Sequence, residues 1–145
     1  MELVIDTREQ LSYSPILNRL SIKHQIKCLN VGDYSLAGYE HLFSLERKSL
    51  ADFIHCVTRD RQRFVKELER AKQLDYFAII IEGSYYDIKN KNYRSNTNPK
   101  AILNSIFKWS ASYGFPIFLV DSREGGALAV IKLCEYYLKC HQNGQ

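Results

Sequence analysis

Residues 76–83 read YFAIIIEG, a continuous run of mostly large apolar side chains that ends at a glycine. A strand buried on one face alternates apolar and polar residues, whereas a strand covered on both faces does not. The run therefore predicts a central strand with helices packed against both of its faces. Patterns with helical spacing stand before and after it, at 49–71 and 99–114. This combination predicts an α/β domain.

The other elements are predicted from the same two periodicities and from turn residues. They are strands at 3–7, 24–30 and 116–122, a β-hairpin over 32–48, helices at 14–21 and 124–140, and a loop at 84–98. Strands that follow one another directly pair antiparallel, and strands separated by helices pair parallel. The order therefore predicts a mixed sheet flanked by helices, without a second domain in residues 1–145.

The composition indicates a folded domain and limits the partners, metal sites and cellular locations that we expect. The chain has 46% apolar residues in 145, enough for a folded domain with a core. Its net charge of +4 fits an anionic partner without requiring one. The four cysteines form no C-x-x-C pair, so free thiols are expected rather than a zinc site. With no long apolar run and no signal-peptide pattern, the expected location is the cytoplasm, or the nucleus if the source is eukaryotic.

The second strand of the predicted hairpin ends in Glu46-Arg47-Lys48. Strand alternation puts Glu46 and Lys48 on one face and Arg47 on the other. A carboxylate there can bind a hard divalent cation, and a neighbouring lysine can hold water or stabilise an anion. Asp33, across the hairpin, is expected as a second ligand, and Asp6, at the end of the first strand, as a third. This set fits Mg²⁺-assisted hydrolysis of a phosphodiester.

Structural alternatives stand beside each of these assignments. Glu46 and Lys48 could form an exposed ion pair at a strand end, which contributes little to stability. Asp6 and Asp33 could each close a turn, a common use of aspartate. These alternatives are left open by spacing alone.

The helical pattern at 49–71 carries further charged residues. Ser49-x-x-Asp52 resembles a capping box, which favours an architectural role for Asp52. Arg61 falls on the apolar stripe of this helix, so we expect it to be partly buried beside a carboxylate of the acidic cluster. Four cations spaced by four, three and four residues share one face and could follow DNA phosphates, or could simply be solvated: Arg59, Arg63, Lys66 and Arg70.

Three motifs in this order resemble those of the XPF-type nuclease domain. They are IDTRE at 5–9, GDY at 32–34 and ERKSLAD at 46–52, followed by the similar RQRFVKEL at 61–68. The resemblance implies a restriction-endonuclease-like three-layer fold of the PD-(D/E)XK superfamily. It also implies a structure-specific DNA endonuclease that cuts branched or single-strand/double-strand junction DNA in repair, recombination or replication.

Site residues can be transferred from the resemblance position by position. Asp33 and Glu46 would bind Mg²⁺, with Mn²⁺ able to substitute, while Asp6 would support the metal and Lys48 would position or activate water. Supporting roles would fall to Arg8, Glu9, Arg47, Asp52 and Arg61.

The sequence departs from the family pattern at three points, and it leaves other roles open. The hairpin turn should be extended at 37–41, and Arg59-Asp60 stands where the family usually has two glycines, so one continuous helix is expected. The sequence carries no tandem helix-hairpin-helix domain, and the final helix could form a homodimer. The alternatives are a non-catalytic DNA-binding or dimerisation partner of a nuclease, and a protein-interaction domain.

Overall fold

The structure, a computed structural model, describes residues 1–142. Its strands are β1 (Leu3–Asp6), β2 (His24–Lys27), β3 (Tyr34–Leu36), β4 (Phe43–Ser49), β5 (Tyr76–Glu82) and β6 (Ile117–Leu119). Its helices are α1 (Ser14–Arg19), α2 (Leu50–Val57), α3 (Arg61–Ala71), α4 (Tyr85–Lys89), α5 (Pro99–Tyr113) and α6 (Arg123–Gln142). No helix among these residues is long and apolar enough to cross a membrane.

The strands form one mixed six-stranded sheet in the order β2-β1-β3-β4-β5-β6. The hairpin strand β3 pairs antiparallel with both β1 and β4, whereas β1–β2, β4–β5 and β5–β6 are parallel. Helices cover both faces, so the three-layer α/β prediction is confirmed. The parallel pairing of β4 with β5 aligns Ser49 with Glu82, which brings the carboxyl ends of both strands to one edge of the sheet.

The central strand predicted from YFAIIIEG is confirmed as β5. Ile79, Ile80 and Ile81 are all fully buried. Alternation divides them between two cores: Ile80 packs with residues of α1 and α6, and Ile79 and Ile81 pack with residues of α2, α3 and α5. This strand separates the two cores because its side chains alternate between the two faces of the sheet.

The single helix predicted over 49–71 is wrong, because α2 ends at Val57 and α3 begins at Arg61. Thr58 terminates α2 without any glycine. Its hydroxyl donates to the Ile54 carbonyl at 2.8 Å, and its backbone leaves the helical region at φ −108° and ψ −97°. A threonine side chain that bonds the preceding turn competes with regular helix hydrogen bonding.

The predicted loop over 84–98 is also wrong in part, because it begins with the short helix α4. The Ser84 hydroxyl caps this helix by accepting the Asp87 N–H at 2.9 Å, and the fully buried Ile88 anchors it. The extended hairpin turn is confirmed: residues 37–42 connect β3 to β4, with Gly38 at φ +90°.

Candidate functional site

An open cleft of about 700 Å³ lies where β1 and β4 end and α2 and α3 pack above the sheet. Acidic side chains and Lys48 line one side of this cleft, and cations from the α2–α3 segment line the other. All four residues predicted as catalytic and all four predicted to bind DNA are in its lining: Asp6, Asp33, Glu46 and Lys48, with Arg59, Arg63, Lys66 and Arg70. The fold therefore joins two groups that the sequence leaves separate.

Glu46 lies at the floor of the cleft and is only 3% exposed. Its Oε2 lies 3.2 Å from the Lys48 Nζ, which confirms that the two side chains share one face of β4. Its Oε1 is buried and has no hydrogen-bond partner among residues 1–142. Burial, followed by the charge of Asp33, raises the pKa of Glu46 well above its ordinary value. A buried carboxylate oxygen without a partner is costly, so it is available to a ligand.

Asp33 is held between two strands by its own backbone. Its N–H donates to the Leu45 carbonyl and its carbonyl accepts from the Asp6 N–H, both at 2.8 Å. Its Oδ2 accepts the Arg47 N–H, also at 2.8 Å. Burial and the nearby charge of Glu9 raise the pKa of Asp33 to about 7. The Asp33 carboxylate is therefore held beside β4 and does not serve only to close a turn.

Lys48 stays positively charged in this site. Its side chain is 25% exposed, and its Nζ lies 5.7 Å from the centre of the Phe64 ring. Burial alone would lower the pKa of Lys48, but the Glu46 carboxylate raises it above its ordinary value. A protonated lysine donates hydrogen bonds and cannot accept a proton, so the raised pKa favours positioning over deprotonation of water.

Asp6 is occupied by groups of the protein itself. Its Oδ1 accepts the Leu29 N–H at 2.8 Å, and Arg8 donates to both carboxylate oxygens, with Nε at 2.9 Å from Oδ2. Burial alone would raise the pKa of Asp6, but the hydrogen bonds from Arg8 and Leu29 lower it. Its part as a third metal ligand stays a prediction, since Arg8 would first have to release it.

Arg47 points to the opposite face, as alternation predicts. Its guanidinium forms a two-pronged pair with Glu82, with Nε–Oε2 at 3.1 Å and Nη2–Oε1 at 3.2 Å. Glu9 lies 3.6 Å from its Nη1, and the Tyr13 ring centre is 5.3 Å away. Burial alone would lower the pKa of Arg47, but the Glu82 carboxylate raises it. This buried cluster supports β4 on the face opposite the cleft, while the Arg47 N–H fixes the carboxylate of Asp33 on the cleft side.

The basic side of the cleft does not come from one helix. Arg63, Lys66 and Arg70 lie on a common face of α3, whereas Arg59 lies in the break between α2 and α3. The side chain of Arg63 is 82% exposed and pairs with Asp60 at 3.3 Å. These cations face the acidic floor across open solvent, an arrangement that suits a polyanion.

Among residues 1–142, Arg61 has no carboxylate partner, so the prediction of one is wrong. Its Nη1 donates to the Ser105 hydroxyl at 2.8 Å and to the Val57 carbonyl at 3.0 Å. Its guanidinium lies 4.8 Å from the centre of the Trp109 ring. Arg61 therefore joins α3 to α5, outside the residues that line the cleft.

Asp52 lies on the rim of the cleft and is exposed. Its N–H donates to the Ser49 hydroxyl at 3.1 Å, which confirms Ser49 as the N-cap of α2. Within the described part of the chain, the Asp52 carboxylate makes no return bond to Ser49, so only half of the capping box forms.

A model of the ERCC4 domain family matches residues 5–129. The chain belongs to the ERCC4 domain family. This result confirms the resemblance to XPF-type nuclease domains, and it places the chain in a family of DNA endonucleases.

Two similar solved structures agree with the fold of this ERCC4 domain. XPF from Aeropyrum pernix is 24% identical with a TM-score of 0.78, and the match covers 100% of this chain and 64% of that one. XPF from Aeropyrum pernix in complex with DNA is 22% identical with a TM-score of 0.76, covering 95% of this chain and 65% of that one. The ERCC4 domain thus spans just under two thirds of the length of either structure. A search of curated proteins found no match.

Glu67 is an acidic residue of the cleft that was not predicted from the sequence. Glu67 lines the cleft, and its charge adds to the rise in the pKa of Glu46. It lies four residues after Arg63 on α3, so the spacing of the basic stripe already placed it on the same face. An acid among these cations moderates the positive charge directly above the floor.

The carboxylates in the cleft of the ERCC4 domain are sufficient in number for a Mg²⁺ ion. Among residues 1–142, no group of three or more His, Cys, Asp and Glu side chains is arranged to hold a metal. Mg²⁺, however, usually takes only one or two carboxylates and completes its shell with water and substrate oxygens. Asp33, which is partly buried, and Glu46, which is buried, supply two carboxyl groups of raised pKa that a cation would favour in the ionised form. Among residues 1–142, the Glu46 Oε1 has no hydrogen-bond partner.

Proposed function

We propose that this ERCC4 domain is a Mg²⁺-dependent endonuclease that hydrolyses phosphodiester bonds in DNA, with Mn²⁺ able to substitute. One observation carries the proposal: the buried Oε1 of Glu46 has no hydrogen-bond partner in residues 1–142, at the floor of a cleft that is also lined by cations. An acidic floor repels a phosphate unless a cation lies between them, whereas the basic side attracts it.

The roles of the side chains follow from their positions. Asp33 and Glu46 would hold the metal, which when bound neutralises phosphate charge and lowers the pKa of water. Lys48, kept protonated by Glu46, donates a hydrogen bond to the attacking water or to a phosphate oxygen. Arg63, nearby on α3, contacts the DNA backbone without reading its sequence.

The substrate we propose is branched DNA or DNA with a single-strand/double-strand junction. The proposal rests on family membership and on a cleft that is open rather than enclosed, with cations of both α3 and the α2–α3 break along it. Residues 1–145 would act as a single nuclease domain on such DNA. Phosphate contacts of this kind make binding strongly dependent on salt.

The test uses a panel of labelled flap, splayed-arm, nicked and four-way DNAs, incubated with Mg²⁺ or with EDTA. We expect cleavage of at least one branched DNA with Mg²⁺ only, and at least 100-fold slower cleavage by Lys48→Ala and Glu46→Gln. Lys132→Ala is the matched control, because Lys132 is an exposed lysine on α6 that pairs with Glu135 at 3.5 Å. Equal cleavage by Lys48→Ala would remove the proposed mechanism.

A second candidate is a non-catalytic DNA-binding partner, favoured by the engagement of both Asp6 oxygens with Arg8 and Leu29. It predicts binding to branched DNA without cleavage in Mg²⁺ or Mn²⁺. The same panel, read by a shift assay in EDTA and by cleavage in metal, separates the two candidates.

Self-association through α6 is a further part of the proposal. Most of its apolar side chains are buried or partly buried in the domain, but Leu128 and Tyr136 are each 58% exposed. They are eight residues apart, so they are separated by about 80° around the helix and belong to one broad face. Light scattering on the purified chain should give a dimer mass, and a monomer mass for Leu128→Glu; a monomer in both would rule this surface out.

A further inference from the structure

A second basic surface lies outside the cleft, on α4, the segment after it and α5. Residues 84–110 carry five cations and one acid, a net charge of +4 that equals the net charge of the whole chain. The cations are Lys89, Lys91, Arg94, Lys100 and Lys108, and all five are exposed. Within residues 1–142, none of them forms an ion pair. Their charge is therefore available to an anion.

Two aromatic side chains stand in the same segment. Tyr85 is 51% exposed and Tyr86 is 68% exposed, although both belong to a helix anchored by the fully buried Ile88. Neither tyrosine hydroxyl makes a hydrogen bond within the described part of the chain. Exposed aromatic rings next to one another in sequence, near cations without ion pairs, suit the binding of single-stranded nucleic acid. Its bases stack on aromatic rings, and the cations hold its phosphate backbone.

The backbone that carries these groups is fixed by its own hydrogen bonds. The Asn92 N–H donates to the Asp87 carbonyl at 2.7 Å, and the Tyr93 hydroxyl donates to the Thr97 carbonyl at 2.7 Å. Asn98 then caps α5 by accepting the Lys100 N–H at 2.9 Å. An ordered platform loses less conformational entropy on binding than a free loop does.

The surface begins at the same sheet edge as the cleft. Ser49, which ends β4 one residue after Lys48, is aligned with Glu82, and α4 begins three residues after Glu82. Between them, Gly83 packs so closely on Leu50 that a Cβ at Gly83 would lie 3.2 Å from the Leu50 Cβ. Adjacent strands are about 4.8 Å apart, so the start of α4 lies beside the end of β4, on the path of DNA that leaves the cleft along this edge.

We propose that Tyr85 and Tyr86, with the surrounding cations, bind the unpaired strand of a junction by base stacking. This inference rests on the proposed function, because it names the feature of the substrate that the same sheet edge recognises. Duplex DNA keeps its bases stacked internally and offers only phosphates to this surface. The tyrosines therefore add affinity for single-stranded DNA alone.

The test measures binding without cleavage, so that it stands apart from catalysis. In a Lys48→Ala background and in EDTA, fluorescence anisotropy is recorded with a labelled oligothymidylate and with a labelled duplex. Tyr85→Ala/Tyr86→Ala should weaken oligothymidylate binding about 10- to 100-fold and leave duplex binding unchanged. Tyr85→Phe/Tyr86→Phe should retain binding, because the rings remain.

Ile26→Ala is the control, because Ile26 is a 66% exposed apolar side chain on β2, the edge strand farthest from β5 and the α4 that follows it. It should bind both DNAs like the parent. Unchanged oligothymidylate binding by Tyr85→Ala/Tyr86→Ala, or an equal loss for duplex, would overturn the inference. If the tyrosines bind oligothymidylate as expected but the parent protein cleaves no DNA in Mg²⁺, the nuclease proposal is rejected and the stacking proposal is retained.

Discussion

Glu82→Gln tests whether the buried cluster behind β4 stabilises the fold. Glu82 and Arg47 are each 11% exposed, and two N–H···O contacts of 3.1 and 3.2 Å join them. The Tyr13 hydroxyl donates to the same carboxylate. The substitution keeps the shape of the side chain and removes its charge, so Glu9, at 3.6 Å, becomes the one carboxylate within 4 Å of the Arg47 guanidinium among residues 1–142.

The expected cost follows from this geometry. Removing one partner of a buried ion pair typically costs about 3–5 kcal/mol, because the other charge remains buried. Here Glu9 still compensates part of the charge on Arg47, and the glutamine oxygen can accept one of the two N–H bonds. We therefore expect a loss of about 2–3 kcal/mol in the free energy of unfolding, or roughly 5–10 °C in Tm for a domain of this size.

Urea denaturation followed by circular dichroism measures this change, with the m-value checked for constancy. The control is Glu135→Gln on α6, where the carboxylate pairs with Lys132 and Lys139 on the surface at 3.5 and 3.4 Å. Solvent screens such pairs, so the midpoint should stay where it is in the parent. A loss below about 1 kcal/mol for Glu82→Gln would refute the view that this pair is tightly coupled to folding.

Three further predictions concern the cleft and its supports. Burial raises the pKa of Asp33 to about 7 and also raises that of Glu46, so the folded state binds more protons than the unfolded state and metal-free stability falls as pH rises from about 4 to 7. Thermal melts in EDTA should show this fall in stability, and Asp33→Asn should make it smaller. Added Mg²⁺ should restore stability at pH 8 more than at pH 5. Ser49→Ala removes the hydroxyl that accepts an α2 N–H at 3.1 Å, and should lower the urea-measured stability by about 1 kcal/mol. Gly32→Ala should cost more than about 2 kcal/mol, because φ is +85° and the new Cβ would lie 2.0 Å from the Ser44 Oγ; a midpoint like the parent's would contradict this.

Local periodicity was enough to establish part of the site. Glu46 and Lys48 share a face because side chains two apart in a strand always do, and Arg47 must then point away. The same reasoning identified β5, since a run of apolar residues too short for a helix must be covered on both faces. The N-cap role of Ser49 also depends only on a three-residue spacing.

Contacts between distant segments decided the rest. Arg61 lies on the predicted apolar stripe, yet its partners are Ser105 and Trp109, more than forty residues away, rather than a carboxylate. The break at Thr58 arises from a side-chain bond to the preceding turn, which a helix-forming sequence does not reveal. Periodicity describes one element at a time, so it could not position α3 over the end of β4.

The sequence by itself determined which residues the ERCC4 domain has for chemistry and which way they point from their own strands. Only the tertiary structure decided that Asp33 is fixed by the backbone of Arg47 and that Glu82 supports that arginine. It also decided that the Glu46 Oε1 has no hydrogen-bond partner in the part of the chain that the structure describes. Side-chain direction is set by local backbone geometry, whereas burial and pairing depend on how the whole chain packs.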